Sequence, residues 1–315
     1  MAKICYIETE FRDDSLAIID QANAIIEDYQ GQGYTLTLRQ LYYQFVAKAL
    51  IPNTERSYKR IGSIVNNARL AGLIDWEAIE DKTRNLQAVP TWESPQSIIR
   101  ACASQYRVDR WWGQRHYVEV WVEKDALTGV VERPCRNMGV PWFACRGYVS
   151  QSEMWSAFQR IEQRVQCLGS DPSDPTKAVI LYLGDHDPSG LDMTRDVQER
   201  LDLFNGGSVD LQVQRIALTW DQIQQYQPPP NPAKLTDSRA SGYVQACGGE
   251  SWELDALSPS VLSGIVLDAI MGLLDQATYQ DRMYRERRER SDLESLAYLT
   301  HEHWERLISN ARRGI

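Results

Sequence analysis

Hydrophobic residues recur at helical spacing in three segments near the start of the chain. The spacing predicts three helices, over residues 15–29, 37–50 and 54–71. Gly31 and Pro52 end the first two, and Thr37 with Gln40 forms a capping-box pattern that begins the second. The third segment is predicted to bury Tyr58, Ile61, Val65 and Ala68, and its polar face is basic and rich in amides. Three short helices of this kind are typical of helix-turn-helix or winged-helix DNA-binding domains.

From residue 117 onward the hydrophobic period changes to that of strands. Four apolar stretches predict strands: YVEVWVE (117–123), VPWFAC (140–145), AVILYLGD (178–185) and VDLQVQRIAL (209–218). Helical patterns separate these stretches. The alternation of strand and helix predicts an α/β fold with a Rossmann-like parallel sheet. Two more helices, over residues 258–276 and 292–310, are predicted to end the chain.

Charge is unevenly distributed along the chain. The whole sequence carries −9, yet residues 37–72 carry +5 and the remainder −14. A basic island in an acidic protein is compatible with a local contact to a polyanion, or with a solvated helix face. No apolar run approaches the length of a membrane span, and the six cysteines show no CxxC pair. We therefore expect a soluble cytoplasmic protein without structural zinc or disulfides.

Acidic residues follow two of the predicted strands. Glu123 closes the first strand, and Asp185 and Asp187 close the third, in GDHDPSG. Ligands of an open parallel sheet bind at the carboxyl ends of its strands. Three carboxylates at that edge would repel one another unless a cation lay between them, and their oxygens suit Mg²⁺, with Mn²⁺ as an alternative. A solvated acidic loop is the competing interpretation, whereas His186 is expected to be structural.

These motifs together resemble one known family. VEKDAL, CRGYVS and GDHDPSG are similar to the VEKDA, GKGYP and DxDPYG of the A subunit of topoisomerase VI and the related meiotic break-forming transesterase. TLRQLYY resembles the family's tyrosine motif, and WELDAL a late motif. The resemblance covers roughly residues 35–270 and is nearest to stand-alone topo mini-A proteins. Ser189 replaces an aromatic of the family pattern, Arg146 replaces a lysine, and no ATPase motif is recognisable.

The resemblance implies a division of the chain into four parts. A CAP-like winged-helix domain that carries the tyrosine would span 1–86, a connector 87–116, a Toprim domain 117–275 and a helical segment 276–315. It also implies that Glu123, Asp185 and Asp187 hold the metal. We assign contacts with double-stranded DNA to seven polar side chains: Arg56, Lys59, Arg60, Asn67, Arg69, Lys124 and Arg146.

The adjacent Tyr42 and Tyr43 are distinguished by helical geometry. Neighbouring residues on a helix lie about 100° apart, so the two rings cannot share a face. Tyr42 falls in the apolar stripe of the second helix. Tyr43 lies beside the stripe with Arg39 one turn earlier, where a guanidinium can stabilise a phenolate and bind phosphate. The family's nucleophile is also the second aromatic of its pair, so Tyr43 and Arg39 are the predicted catalytic residues.

The implied reaction is Mg²⁺-dependent DNA cleavage by transesterification, with a 5′-phosphotyrosyl intermediate. The resemblance implies a homodimer that makes double-strand breaks, and a separate ATPase or regulatory partner if strand passage occurs. Two alternatives stay open: a hydrolytic Toprim nuclease of a defence or mobile-element system, and a DNA-binding module that is not an enzyme. A primase is disfavoured because no zinc-ribbon cysteines are present.

Overall fold

The structure is a computed structural model, and it describes residues 3–80, 89–168, 175–232, 240–298 and 301–313. The predicted boundary between the first domain and the connector, at residues 86 and 87, lies outside the described residues. Among the described residues, no single helix is long and apolar enough to cross a membrane. The helices Pro259–Gly272 and Gln276–Ala297 reach the required length and hydropathy only when taken together, and they are bent by 104° relative to each other.

Helices make up most of the described chain. Twelve α-helices are described: α1 (Asp13–Gly31), α2 (Leu38–Ala47), α3 (Glu55–Leu70), α4 (Pro95–Gln105), α5 (Thr128–Met138), α6 (Gln151–Cys167), α7 (Pro188–Asn205), α8 (Trp220–Tyr226), α9 (Ala240–Cys247), α10 (Pro259–Gly272), α11 (Gln276–Ala297) and α12 (His301–Arg312). The described strands are β1 (His116–Val122), β2 (Trp142–Ala144), β3 (Lys177–Leu183), β4 (Leu211–Ala217), β5 (Asn231–Pro232) and β6 (Glu250–Ser251).

Four strands form the main sheet, in the order β2-β1-β3-β4. Every neighbouring pair is parallel, and β1 and β3 pair along their full lengths from His116 with Lys177 to Val122 with Leu183. One face packs on α5 and α10, the other on α6 and α7. The prediction of an α/β fold with a parallel sheet is confirmed. Strand β2 has three residues instead of the six predicted, because pairing with β1 begins only at Trp142.

The three N-terminal helices were predicted correctly, with bounds that differ by a few residues. Their apolar faces form one core, and the capping box is formed: Gln40 N–H donates to Thr37 Oγ1 at 3.3 Å and Thr37 N–H to Gln40 Oε1 at 2.8 Å. Tyr58 on α3 was expected in this core but is 36% exposed. It lies against the ring of Tyr42 at the surface, where the helical period places it at the margin of the apolar face.

The C-terminal region differs from the prediction. A helix was predicted over 292–310, whereas α11 begins at Gln276 and spans 22 residues, followed by α12. The chain between residues 276 and 291 is rich in arginine and glutamate and lacks an apolar stripe, so hydrophobic period could not reveal it. Helix α11 packs against α4, inside the predicted connector.

A buried carboxylate joins α11 to the segment before β1. Glu286 is 2% exposed and accepts two hydrogen bonds from Arg110, at 2.7 and 3.0 Å, and one from Arg290 at 2.5 Å. The Val108 N–H donates to the same carboxylate at 3.3 Å. Trp111 beside it is buried, and its indole N–H donates to the Met138 carbonyl at 2.8 Å. Arg110 and Trp111 therefore pack between α11, α5 and the segment before β1.

Replacing Arg110 by alanine is expected to lower the free energy of unfolding by roughly 2–4 kcal/mol. Glu286 would keep a buried charge and lose its bidentate partner, which is more costly than losing an exposed pair. Arg285→Ala is the matched control, since Arg285 is 53% exposed and pairs with Glu289 on the same helix. Chemical denaturation of both variants checks the prediction, and equal losses would contradict it.

Candidate functional site

The predicted acidic residues meet at the carboxyl end of the main sheet. Glu123 follows β1 and is 8% exposed, while Asp185 follows β3 and is 6% exposed. The backbone N–H of Asp185 donates to Glu123 Oε2 at 2.9 Å. Asp187 is the N-cap of α7 and accepts from the Gly190 N–H at 2.6 Å. The strand ends therefore bring the three residues to one place, as the sequence predicted.

Two glycines allow the backbone to approach these side chains closely. A Cβ at Gly184 would lie 2.8 Å from Glu123 Oε2, and one at Gly190 would lie 2.3 Å from the Asp185 carbonyl oxygen. Arg215 of β4 holds the same loop from behind. Its guanidinium donates to the carbonyls of Gly184 and Asp185, at 2.7 and 2.5 Å. The turn after β3 is thus fixed by close packing and by a buried cation.

Lys124 supplies the positive charge at the centre of the carboxylates. Its Nζ lies 2.8 Å from Asp185 Oδ2 and 3.4 Å from Asp255 Oδ1, and it also pairs with Glu253. Burial disfavours its charged form, yet the charges of Asp255, Asp185 and Glu253 raise the pKa of Lys124. Lys124 was predicted to contact DNA. Its side chain is instead 15% exposed and paired inside the protein.

The sequence prediction did not include Glu253 and Asp255 in the site. The backbones of His186 and Trp252 pair by two hydrogen bonds, of 2.8 and 3.0 Å, and the Leu254 N–H donates to Asp185 Oδ1 at 2.8 Å. These contacts turn both acidic side chains toward Lys124. The signal was present in WELDAL, whose acidic residues stand two apart like those of GDHDPSG. We call the five residues Glu123, Asp185, Asp187, Glu253 and Asp255 the carboxylate cluster.

The side chain of His186, between Asp185 and Asp187 in the chain, packs among aromatic rings. Its ring lies among Trp220, Tyr243 and Trp252, with centroid distances of 5.8, 5.7 and 5.9 Å. Its Nδ1 lies 3.0 Å from the Tyr243 hydroxyl. Burial lowers the pKa of His186. The expectation that His186 is structural agrees with these contacts.

Burial gives two of the predicted metal ligands a high proton affinity. It raises the pKa of Glu123, although the Asp185 N–H and the charge of Lys124 oppose the change. It also raises the pKa of Asp185 well above the ordinary value, again against the effect of Lys124. Glu253 is half-buried: burial acts to raise its pKa, but its contacts with Lys124 outweigh this effect and lower the pKa. The site thus favours any cation that can balance several carboxylates.

The donor chemistry of the cluster fits a hard divalent cation. All five side chains offer carboxylate oxygens, the ligands that Mg²⁺ prefers. Both side-chain oxygens of Asp255 are buried without a hydrogen-bond partner. Among the residues that the structure describes, no three acidic, histidine or cysteine side chains are already grouped to hold a metal. The cation that the carboxylates hold in this structure is the ammonium of Lys124.

Arg39 connects α2 to the carboxylate cluster. Its Nε lies 3.3 Å from Asp255 Oδ2, its Nη2 lies 3.7 Å from Glu253 Oε2, and its side chain is 50% exposed. The guanidinium carbon lies 5.7 Å from the centre of the Tyr43 ring. Residues separated by more than 200 positions are thereby brought together in one chain.

The two tyrosines are both buried, with exposures of 4% for Tyr42 and 7% for Tyr43, so burial does not separate them. Their hydroxyls do. Tyr42 donates to Asn53 Oδ1 at 2.9 Å and to the Thr54 carbonyl at 3.2 Å. Tyr43 faces the charged groups: burial and Glu253 raise its pKa to about 12, while Arg39 and Lys124 act to lower it. Helical geometry predicted that the two tyrosines differ in their surroundings. The structure shows this difference at their hydroxyl groups, whereas both rings are buried.

The residues predicted to contact DNA are spread over several surfaces. Arg56 and Asn67 are exposed on α3, as are Lys59, paired with Glu55 at 2.7 Å, and Arg60, paired with Asp14 at 2.6 Å. Arg69 turns inward, where it donates to the carbonyls of Trp76 and Ile79. Arg146 is exposed and pairs with Asp125 at 3.1 Å. Four of the seven thus share the outer part of α3, and their role on DNA stays a prediction.

Two comparisons with known proteins identified no relative of this chain. A scan of the chain against protein-family models gave no match, and a search of curated proteins gave none either.

Proposed function

We propose that the protein cleaves double-stranded DNA by tyrosine transesterification, with Tyr43 as the nucleophile and Mg²⁺, or alternatively Mn²⁺, as the cofactor. The observation that carries the proposal is the meeting of Tyr43, Arg39 and the carboxylate cluster at one edge of a parallel sheet. A phenol, a guanidinium and several buried carboxylates are the groups that such chemistry requires. They come from four segments of the chain, each at least 62 residues from the next.

In this proposal Arg39 binds the phosphate that is attacked. Its side chain is half exposed and carries a fork of N–H donors that matches two phosphate oxygens. A bound phosphate would compete with Glu253 and Asp255 for these donors. Tyr43 lies beside the same guanidinium, so its oxygen would be held close to the phosphorus atom.

The chemical step exchanges one phosphate ester for another. The Tyr43 oxygen bonds to phosphorus while the bond from phosphorus to the 3′ oxygen breaks. The phenol gives up one proton and the 3′ oxygen gains one, so the step is balanced without an oxidant or a co-reactant. Because burial raises the pKa of Tyr43 to about 12, the positive charges of Arg39 and Lys124 are needed to favour its ionised form. Religation is the reverse of this step.

Glu123, Asp185 and Asp187 are the proposed metal ligands. Mg²⁺ bound to them would supply positive charge to the phosphate and to the leaving oxygen. Lys124 holds the carboxylates together in the metal-free protein and keeps a cationic group near the leaving oxygen. Glu253 and Asp255 orient Lys124 and Arg39 through ion pairs.

The finer assignments of fold and assembly belong to the same proposal. Helices α1 to α3 would form the winged-helix domain, and β1 to β4 with their helices the Toprim domain. The exposed residues of α3 would lie along DNA. A homodimer would make paired nicks and hence a double-strand break, and an ATPase or regulatory protein would be a separate chain.

Recovery of protein attached to DNA ends tests the proposal. Supercoiled DNA would be incubated with the protein and Mg²⁺ or Mn²⁺, denatured with detergent and separated on gels. We expect adducts that protect 5′ ends from an exonuclease and leave 3′ ends free. Free cuts without any adduct would refute transesterification and indicate hydrolysis.

One observation favours a hydrolytic nuclease as the second candidate. Tyr43 is buried and its pKa is raised to about 12, so a phenolate is costly to form. A water molecule bound at the carboxylate cluster could attack the phosphate without any phenolate being formed. In that case Tyr43 would act through packing, and its replacement by phenylalanine would leave cleavage intact.

A further inference from the structure

A pocket of about 240 Å³ opens beside the proposed nucleophile. It lies between α2 and the start of α3, and one wall contains both tyrosines of TLRQLYY. The lining residues are Arg39, Tyr42, Tyr43, Asn53, Thr54, Glu55 and Tyr58. The proposed reaction uses only the inner end of this pocket, where Arg39 and Tyr43 lie. The outer part has no role in the chemistry described above.

We infer that the outer part of the pocket binds one nucleobase next to the cleaved phosphate, turned out of the DNA stack. The inference rests on the proposed function, because the phosphate bound to Arg39 determines which base can reach the pocket. It adds a specificity-determining subsite, which we call the base subsite and define by Tyr42, Asn53, Thr54, Glu55 and Tyr58.

The aromatic side chains of the base subsite suit a planar ring. Tyr58 is 36% exposed, an unusual position for a phenol ring that the helical period assigned to the core. The Tyr42 ring meets it edge to face, with centroids 5.2 Å apart and an angle of 80° between planes. Tyr42 is itself fixed by its hydrogen bonds to Asn53 and Thr54. Tyr58 is thus an exposed ring on a rigid support, the arrangement on which bases stack in single-strand-binding proteins.

Charge separates the base subsite from the phosphate position. Arg39 marks the inner end, where an anion would bind, and Glu55 marks the rim. The Glu55 carboxylate, paired with Lys59 at 2.7 Å, would repel a phosphate at that end. The polar groups between them are the neutral side chains of Asn53 and Thr54. A nucleotide can satisfy this order of charges only with its phosphate on Arg39 and its base toward the rim.

The size of the pocket points to a single base. At about 240 Å³ it is smaller than the pockets that hold drug-sized ligands. A base inside a duplex is paired and stacked, so it must leave the stack to enter. That movement costs free energy, and the cost is smallest for a mismatched or unpaired base. The base subsite therefore predicts a preference for DNA whose pairing is weak at one position beside the cleavage point.

Fluorescence of 2-aminopurine in short duplexes tests the base subsite without cleavage. The analogue would be placed at each position of the duplex in turn. At each position it would be tested opposite a normal partner and opposite a mismatched base. The protein would be the Tyr43→Phe variant, without metal, so that no cleavage occurs. We expect the fluorescence to change at one position only, and binding to be about tenfold tighter when that position is mismatched. Tyr58→Ala should remove both effects and Tyr58→Trp should keep them, because only the second retains a stacking ring.

Tyr284→Ala is the matched control, since Tyr284 is a 67% exposed tyrosine on α11 outside the pocket. Circular dichroism would verify that all variants are folded. An equal mismatch preference in Tyr58→Ala and in the parent protein would overturn the base subsite, as would no fluorescence change at any position. Adducts formed by the wild type alongside such a result would leave the proposed function standing. Absence of adducts alongside a positive fluorescence result would refute transesterification alone.

Discussion

Replacing Tyr43 by phenylalanine is expected to abolish covalent attachment to DNA and to reduce cleavage by at least about 10³-fold. The change removes one oxygen atom, the nucleophile of the proposed reaction, and a missing nucleophile has an effect of that order in other covalent enzymes. The ring stays, so the contacts of Tyr43 in the core of α1 to α3 should survive. Covalent adducts on denaturing gels, with Mg²⁺ present, provide the measurement.

Tyr42→Phe is the control that the chain itself offers. It makes the same chemical change at the adjacent residue, whose ring lies 5.3 Å from that of Tyr43. Its hydroxyl donates to Asn53 and to the Thr54 carbonyl, so its loss should lower the free energy of unfolding by about 1 kcal/mol. Cleavage should stay within about tenfold of the wild type, because the Arg39 side of Tyr43 is unchanged.

The two variants together separate three interpretations. Loss of adducts only in Tyr43→Phe would support the proposed nucleophile. Equal loss in both would mean that the pair acts through packing, and the argument from hydroxyl environments would be wrong. Cleavage that persists without adducts in Tyr43→Phe would indicate hydrolysis by water at the carboxylate cluster.

The sheet could be predicted from the sequence because its strands are apolar and regularly spaced. Strand β3 is buried from Ala178 to Leu183 and forms a continuous hydrophobic run, and its partner β1 is buried from Tyr117 to Val122 with Glu119 as its one charged residue. Parallel strands end at the same edge, which is why Glu123 and Asp185 could be placed together. These conclusions needed only local patterns and one topological rule.

The features that were missed depend on contacts between distant segments. Nothing in the local sequence of VEKDAL shows that Lys124 points into the protein, since a lysine after a strand is exposed in most proteins. Its position follows from Glu253 and Asp255, about 130 residues later. Likewise, α11 is stabilised by Arg110 through the buried Glu286 and not by an apolar stripe. Ion pairs inside a protein leave no periodic signal in the sequence.

Asp185→Asn is expected to remove Mg²⁺-dependent cleavage and to leave the metal-free protein folded but less stable, because Lys124 loses one of its three carboxylate partners. The amide oxygen can still accept the hydrogen bond from the Leu254 N–H, now 2.8 Å from Asp185 Oδ1. Burial already raises the pKa of Asp185 well above its ordinary value, so an uncharged side chain is tolerated there. Mg²⁺ binding needs the ionised carboxylate, and we expect at least a 100-fold loss of cleavage.

Thermal unfolding with and without Mg²⁺ separates loss of metal binding from damage to the fold. A bound ion stabilises the native state by mass action, so the wild type should unfold at a higher temperature as Mg²⁺ is added. Asp185→Asn should unfold at a lower temperature than the wild type without metal, and Mg²⁺ should raise that temperature little. Asp210→Asn is the matched control, since Asp210 is exposed before β4, at the opposite end of the sheet.

The pairing of Asp185 with Lys124 makes this experiment sharper. Removing the carboxylate charge weakens the hold on the ammonium, which lies 2.8 Å from Asp185 Oδ2. If Lys124 is the only cation that the site uses, Mg²⁺ will change the unfolding temperature of neither protein. If the carboxylates bind Mg²⁺, the metal will raise the unfolding temperature of the wild type and not that of Asp185→Asn. Cleavage by Asp185→Asn at the wild-type rate would exclude Asp185 as a metal ligand.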